Sequence, residues 1–404
     1  MRKEILNIAS SVFIFVLTLL GAMEANAEQL SPEVSISLLT SGPSDKAIFT
    51  AWGHTAIRVK DPMMGTDYVY NYGIFHFGND FIPRFVSGQT DYRLGVSNMF
   101  HVFEEVEYKN CDLIEQELNL TQKEKERLVE ALEENYKPEN RYYRYKFFGD
   151  NCATRPRHII AESIDGTVSY PSTGDDSTTY RDYIYDLLKT SPWFILGIDL
   201  CLGTPTDKVV TDQERLFLPA ELCKTYNGAQ IVKADTIIPI VKETRLLYEK
   251  QANAGETIEG TSLPGPTTVF GVLLLLIVAH IIFYTYTQKD DRWFHLIYFG
   301  LVGLIGVVLT FVSWISVHEF VFPNWNILLL NPLQLAIAVL IYTKKVGIRT
   351  RLYQIVLGLT LLYILVDITD ITGQHFNDAT FAIAIIQSLL CWEYLLKAQK
   401  KDLA

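Results

Sequence analysis

Phe147-Phe148-Gly149-Asp150-Asn151-Cys152-Ala153-Thr154-Arg155 is the stretch from which the rest of the chain is best read. An aromatic run from Tyr142 to Phe148 ends in it, and apolar residues follow at Ile159, Ile160 and Ile164. A helix is therefore expected to begin at Asn151 or Cys152. A cysteine placed there faces unpaired backbone N–H groups and the positive end of the helix dipole, which favour thiolate over thiol. The same N–H groups suit an oxyanion. Arg155 and Arg157 add positive charge, and with Asn151 they are candidate substrate-binding residues.

A thiolate needs a base, and upstream of Cys152 the best candidate is His54, in Ala51-Trp52-Gly53-His54-Thr55-Ala56-Ile57-Arg58-Val59. Strand-like runs at 33–39, 55–59 and 68–72 place His54 at the entrance of one strand and Asn71, in Tyr70-Asn71-Tyr72-Gly73, on the next. Cys–His–Asn serves acyl transfer through a thioester. A structural reading stands beside it. A cysteine in an exported protein is more often buried or disulfide-bonded than catalytic, and Cys111, Cys201 and Cys223 offer pairings such as Cys201–Cys223. A lone histidine at a strand start is usually structural. Spacing alone leaves both open.

Other signals are weaker. Thr121 and Glu124 fit a capping box before the apolar stripe Leu128, Val129 and Leu132. Residues 172–180 read as a polar loop, and a turn-rich loop accounts for Asp199 and Asp207 as well as substrate binding does. His318-Glu319 opens like H-E-x-x-H, but Phe322 stands where the second histidine belongs. His76, His101 and His158 lack metal-ligand spacing, so neither a metal nor a cofactor is expected.

The 404 residues suggest two structural units, and the 49% hydrophobic content is concentrated at the N-terminus and after Thr267. With 35 basic against 46 acidic residues and a net charge of −11, nucleic acid is an unlikely class of partner. Residues 1–27 have the layout of a secretory signal: Arg2 and Lys3, an apolar core, then Ala25-Asn26-Ala27 before Glu28; an uncleaved anchor is the alternative. Apolar segments at about 267–287, 293–317, 327–343, 352–371 and 379–397 approach the ~20 residues that cross a bilayer, Asn331-Pro332 making the third the least regular. Lys289, Arg292, Lys344, Lys345, Arg349, Arg351, Lys397, Lys400 and Lys401 fall between or after alternate segments, while 318–326 and 372–378 contain no Lys or Arg. The positive-inside rule puts the first set and the C-terminus in the cytoplasm and the 28–250 domain outside, where the signal also sends it. A turn-rich tether, 251–266, joins that domain to the membrane region, 267–404.

His54, Tyr70-Asn71-Tyr72-Gly73 and Asp150-Asn151-Cys152-Ala153-Thr154-Arg155 together resemble the Lnb family of bacterial lipoprotein N-acyltransferases. Residues 197–207 and Asn324-Trp325-Asn326-Ile327-Leu328-Leu329-Leu330-Asn331-Pro332 resemble family segments too, so the likeness reaches both halves of the chain. The resemblance implies an α+β exported domain of the circularly permuted papain-like kind, similar to NlpC-like and lecithin–retinol acyltransferase-like proteins. An all-α membrane domain of about five helices would follow. In such domains the His strand precedes the Cys helix, and the neighbouring strand supplies the third polar residue; Asn71 fits, with His76 its rival. The implied reaction moves an acyl chain from a phospholipid through a Cys152 thioester to the α-amino group of a diacylglyceryl-cysteine lipoprotein, at the outer face of the inner membrane. His318, Asn324, Asn326 and His375 would then bind headgroups or line the acyl entrance, or, with Trp325, simply anchor the interface. A cell-wall cysteine hydrolase of the NlpC-like class and a non-catalytic envelope sensor or scaffold are the alternatives.

Overall fold

The computed structural model of the chain describes residues 30–251 and 263–402, apart from 45, 48, 49 and 77. The expected signal segment and most of the expected tether lie outside the described residues.

Among the described residues, the N-terminal half is built on ten strands: β1 (Ser35–Ser41), β2 (His54–Asp61), β3 (Thr66–Ile74), β4 (Asp91–Asn98), β5 (Leu113–Leu118), β6 (Tyr142–Arg144), β7 (Thr167–Ser169), β8 (Gln230–Lys233), β9 (Thr236–Pro239) and β10 (Val241–Tyr248). Seven form one antiparallel sheet in the order β10-β5-β1-β2-β3-β4-β6, and β7-β8-β9 form a smaller one. Alternation along the strands makes both faces of the large sheet apolar. Ile36, Leu38, Ile57, Val59, Tyr70 and Tyr72 enter one core cluster, and Leu39, Ala56 and Val69 enter another.

The helices of this half are α1 (Phe81–Val86), α2 (Met99–Lys109), α3 (Gln122–Tyr136), α4 (Thr154–Ser163), α5 (Tyr180–Leu188), α6 (Pro192–Cys201) and α7 (Pro219–Tyr226). α3 and α4 cover the first sheet face through Leu128, Leu132, Ile159 and Ile160, while α2 covers the second through Met99 and Val106. The expected capping box opens α3: the Thr121 hydroxyl accepts from the Glu124 N–H, and the Glu124 carboxylate accepts from the Thr121 N–H.

The C-terminal half is helical: α8 (Pro266–Thr287), α9 (Arg292–Trp314), α10 (Leu333–Leu340), α11 (Val346–Thr369) and α12 (Asp378–Asp402). Four of these, α8, α9, α11 and α12, are long and apolar enough to cross a membrane. The third expected span differs. A 3-10 turn, Trp325–Leu328, precedes α10, whose eight residues rise only about 12 Å. Pro332 lacks an N–H and cannot continue the turn before it. The segment nevertheless runs antiparallel to α9. A side chain on Gly306 would fall 2.6 Å from the Asn331 carbonyl carbon and one on Gly303 2.2 Å from the Leu335 nitrogen, while the Arg292 guanidinium lies over the Tyr342 ring. Small residues on α9 thus admit the partner's backbone, a common device where helices meet in lipid.

The two ends of the helical region differ in kind. One end, formed by residues 315–326 and 372–378, packs on the N-terminal domain. Asn324 donates to the Leu200 and Cys201 carbonyls, Asn326 to the Asp199 carbonyl, and Asn377 to the Asp199 carboxylate. The opposite end holds Asp291, His295, Glu393 and Lys397, with Lys397 paired to Asp291 at 2.6 Å and His295 to Glu393 at 3.2 Å.

Candidate active site

The site is assembled where β2 begins and β3 ends. His54 opens β2, and β3 carries Asn71 just before a register shift that runs to Ile74. His54 Nε2 lies 2.6 Å from Asn71 Oδ1, so the ring donates to the amide oxygen and leaves Nδ1 for exchange with a thiol. Gly73 occupies the shift with φ +99°, and a side chain there would lie 3.5 Å from both the Cys152 Cβ and the His54 Cε1. A glycine is required by the backbone angle, and its bare surface lets thiol and imidazole share the end of β3.

Cys152 arrives on a capped turn. Asn151 Oδ1 accepts from the N–H groups of Ala153 and Thr154, and the Thr154 hydroxyl accepts from the Asn151 N–H. The Asn151 amide donates to the Phe147 and Phe217 carbonyls. The Arg155 N–H already bonds the Asn151 carbonyl, so helical pairing starts one residue ahead of Cys152 although regular α4 begins at Thr154. Burial pushes the Cys152 pKa up, but the charge and hydrogen bond of His54, with the N–H groups of Thr55 and Cys152, bring it below the ordinary thiol value. His54 moves the other way. Burial lowers its pKa, but the charge and hydrogen bond of Cys152 and the hydrogen bond of Asn71 leave it raised. The pair is poised to exist as thiolate and imidazolium.

The other expected site residues divide. Asn151 is spent entirely on the cap, and Arg157 is buried, donating to the Gln213 carbonyl and His158. Arg155 makes a two-armed pair with Asp150 and lies 3.6 Å above the Tyr143 ring. Asn151 and Arg155 thus brace the Cys152 turn, and Arg157 ties α4 to the Gln213 carbonyl. His76 is exposed, and the partner of His54 is Asn71. No disulfide forms among the described cysteines: Cys111, Cys152, Cys223 and Cys391 are buried and free, and Cys201 is exposed. The pairing of Cys111, Cys201 and Cys223, left open by the sequence, has all three as free thiols in this structure. Asn324 and Asn326 are buried in the seam between the halves, and His318 Nε2 bonds the Phe85 carbonyl. His375 remains exposed beside the Tyr185 ring.

Three features go beyond the sequence reading or depart from it. Glu319 reaches over the Cys152 turn: a side chain on Gly149 would lie 3.2 Å from its carboxylate, which pairs with Lys146. It is the only charged residue between Ile315 and Asn326, which was the available signal. Next to it, Phe320 holds a left-handed φ of 64°, costly for a bulky residue, and sets its ring 4.4 Å from Phe148. Finally, Asp199 is not a loop residue. It sits in α6, almost fully buried, and accepts from Arg181, Tyr185 and Asn377.

Among the described residues, Asp291, His295 and Glu393 form one group with metal-ligand chemistry. The Lys397 ammonium pairs with both carboxylates and takes the place a cation would need.

Comparison with known proteins finds no matching curated protein and no matching solved structure. Family models match both halves: the Lnb N-terminal periplasmic domain over residues 25–184 and the Lnb transmembrane domain over residues 258–402. The Cys–His–Asn constellation lies within the first match, and the four candidate membrane helices lie within the second. The chain therefore belongs to the Lnb family, a membrane protein with a periplasmic N-terminal domain.

Proposed function

We propose that this protein is a lipoprotein N-acyltransferase acting at the outer face of the inner membrane. The observation that carries the reading is the Cys152–His54–Asn71 arrangement whose cysteine turn, through Phe148 and Gly149, is covered by Phe320 and Glu319 of the loop between the membrane-region helices. Both substrates carry acyl chains and stay in the bilayer, so an acyl-transfer site belongs at that seam.

In the first step the Cys152 thiolate attacks the ester carbonyl of a phospholipid. A C–S bond forms, the ester C–O bond breaks, and the leaving alkoxide takes its proton from the His54 imidazolium. The backbone N–H of Cys152 supports the oxyanion. In the second step the α-amino group of a diacylglyceryl-cysteine lipoprotein attacks the thioester. A C–N bond forms, the C–S bond breaks, His54 takes the amine proton, and the thiolate returns. Asn71 holds the imidazole so that one ring nitrogen always faces the sulfur.

The fold reading that goes with this is a circularly permuted papain-like domain over 28–250, with His54 on a strand ahead of Cys152, then a tether and a membrane region. The antiparallel march of 325–342 along α9 supports reading that segment as a fifth traverse, and with five traverses a periplasmic domain goes with a cytoplasmic C-terminus. Incubating the full-length protein with phospholipid and a diacylated lipoprotein tests the chemistry. The expected products are a hydroxylamine-labile acyl adduct on Cys152 and an amide-linked third chain on the lipoprotein, both lost in Cys152→Ala. An unmodified cysteine with unchanged lipoprotein would overturn the reading and favour hydrolysis of soluble peptides.

A further inference from the structure

α1 is a short helix with none of its residues buried; Ile82 is 72% and Phe85 51% exposed. Exposed apolar side chains of this size in a soluble domain call for a partner. The neighbours indicate which. The Val317 N–H bonds the Ser87 carbonyl, His318 Nε2 bonds the Phe85 carbonyl, and at the same end of α9 Trp314, Ile315 and Val317 are also exposed. α1 is thus pinned to the outer end of a candidate membrane span, and its apolar residues continue the apolar surface of that span. Its polar side is taken up elsewhere, since Arg84 pairs with Asp91, which also holds Arg144. An aromatic belt at the end of a span and an amphipathic helix in its plane are the marks of an interfacial element.

From α1 a line of rings leads inward. Phe85 and Phe81 stack at 5.8 Å, Phe81 and Phe75 at 5.8 Å, Phe75 and Tyr92 meet at 5.0 Å, and Tyr92 and Tyr145 stack at 4.2 Å. Phe75 follows Gly73 by two residues, and Gly73 is the point where Cys152 and His54 meet. Burial, and then the charge of Cys152, raise the Tyr92 pKa to about 12.

Resting on the acyltransferase reading, we infer that α1 seats in the outer leaflet and that the ring line from Phe85 to Tyr145 is the binding track for the acyl chain of the phospholipid donor. The donor is favoured over the lipoprotein because only the donor must bring an acyl carbonyl to Cys152; the acceptor presents an amine. At its inner end the line meets the main core cluster, against which Tyr92 and Tyr145 pack.

The experiment uses the full-length protein in phospholipid nanodiscs and measures Cys152 thioester formation from a long-chain and a short-chain phosphatidylethanolamine. In Ile82→Ser/Phe85→Ser the preference for the long-chain donor should fall by up to about a hundredfold, because each side chain contributes burial worth roughly one decade. An unchanged preference would overturn the track. A second arm is independent of turnover: Cys152→Ser protein is irradiated with a phosphatidylethanolamine bearing a diazirine at the acyl terminus or, separately, with a diazirine-labelled diacyl lipopeptide. Labelling of peptides containing Phe75, Phe81 or Tyr92 by the phospholipid supports the track even if no thioester is ever seen, a result that would sink the acyltransferase reading alone. Labelling there by the lipopeptide only, or by neither probe, overturns the assignment.

Discussion

In the proposed reaction His54 must be a base toward one neighbour and a fixed donor toward another, and Asn71 resolves the conflict by taking Nε2. The pH behaviour follows from the two displaced pKa values. Cys152 titrates below its usual value of 9.0 and His54 above 6.5. Alkylation of Cys152 by iodoacetamide should therefore rise with pH through a midpoint below 9.0, and His54→Ala should move that midpoint upward. Acyl transfer also needs the imidazolium, so its rate should fall again as pH rises through the raised His54 value, giving a bell. A midpoint unmoved in His54→Ala would refute the pairing. Gly73→Ala makes a second test. The left-handed φ costs a residue with a Cβ roughly 1–2 kcal/mol, and the added methyl contacts both reacting side chains. Thioester formation should drop by about an order of magnitude with little loss of folded protein, read by mass spectrometry and by thermal unfolding. Cys152 and His54 were legible because each sits at an element start where local chemistry gives it a purpose, and Asn71 because strand alternation carried it to the same end. Glu319 and Phe320 were not, since nothing local says that a loop 167 residues after Cys152 folds back over the turn beside it.

At the scale of elements, α6 does more than its apolar sequence suggests. Its Asp199 joins Arg181 and Tyr185 of α5 to Asn377 at the head of α12, and its backbone carbonyl takes Asn326. Removing the carboxylate in Asp199→Ala strands Asn377 and half of the Arg181 pairing in a dry seam, a loss of about 3–5 kcal/mol by analogy with other broken buried pairs. The expected result is a sharp fall in thioester formation from vesicle lipids while iodoacetamide still reaches Cys152 at the wild-type rate; equal losses in both would mean that Asp199 supports only the domain's own fold. Strands β1 to β3 were readable from alternation, and α3 from its capping box, because one short window contains the whole signal. β4, β5 and β10 were not. β10 is mostly exposed, with Glu243 and Arg245 among its residues, and it becomes a strand only by pairing with β5, more than a hundred residues earlier in the chain.

For the whole molecule, orientation depends on its least helix-like part. α8 leaves the periplasmic domain and α9 returns to it. α11 must then start at the far end, because Arg349 bonds the Tyr394 hydroxyl and the Leu340 and Ile341 carbonyls, while α12 starts beside Asp199. Four long helices alone would put the C-terminus on the domain's side; a traverse by 325–342 puts it on the opposite side, where the basic residues lie. Parity thus converts a question about one broken helix into one about sidedness. In a Cys201→Ser background, Ile371→Cys, exposed at the domain-facing end, should react with a membrane-impermeant maleimide in spheroplasts. Lys345→Cys should react only after permeabilisation. Were Lys345→Cys labelled in intact spheroplasts, the short segment would turn back within the membrane, and the antiparallel contacts from Gly306 to Tyr342 would have to belong to a re-entrant hairpin. The rows of contact at Gly306, Gly303 and Gly300 descend without reversal toward Arg292, which is why the crossing is the expected outcome.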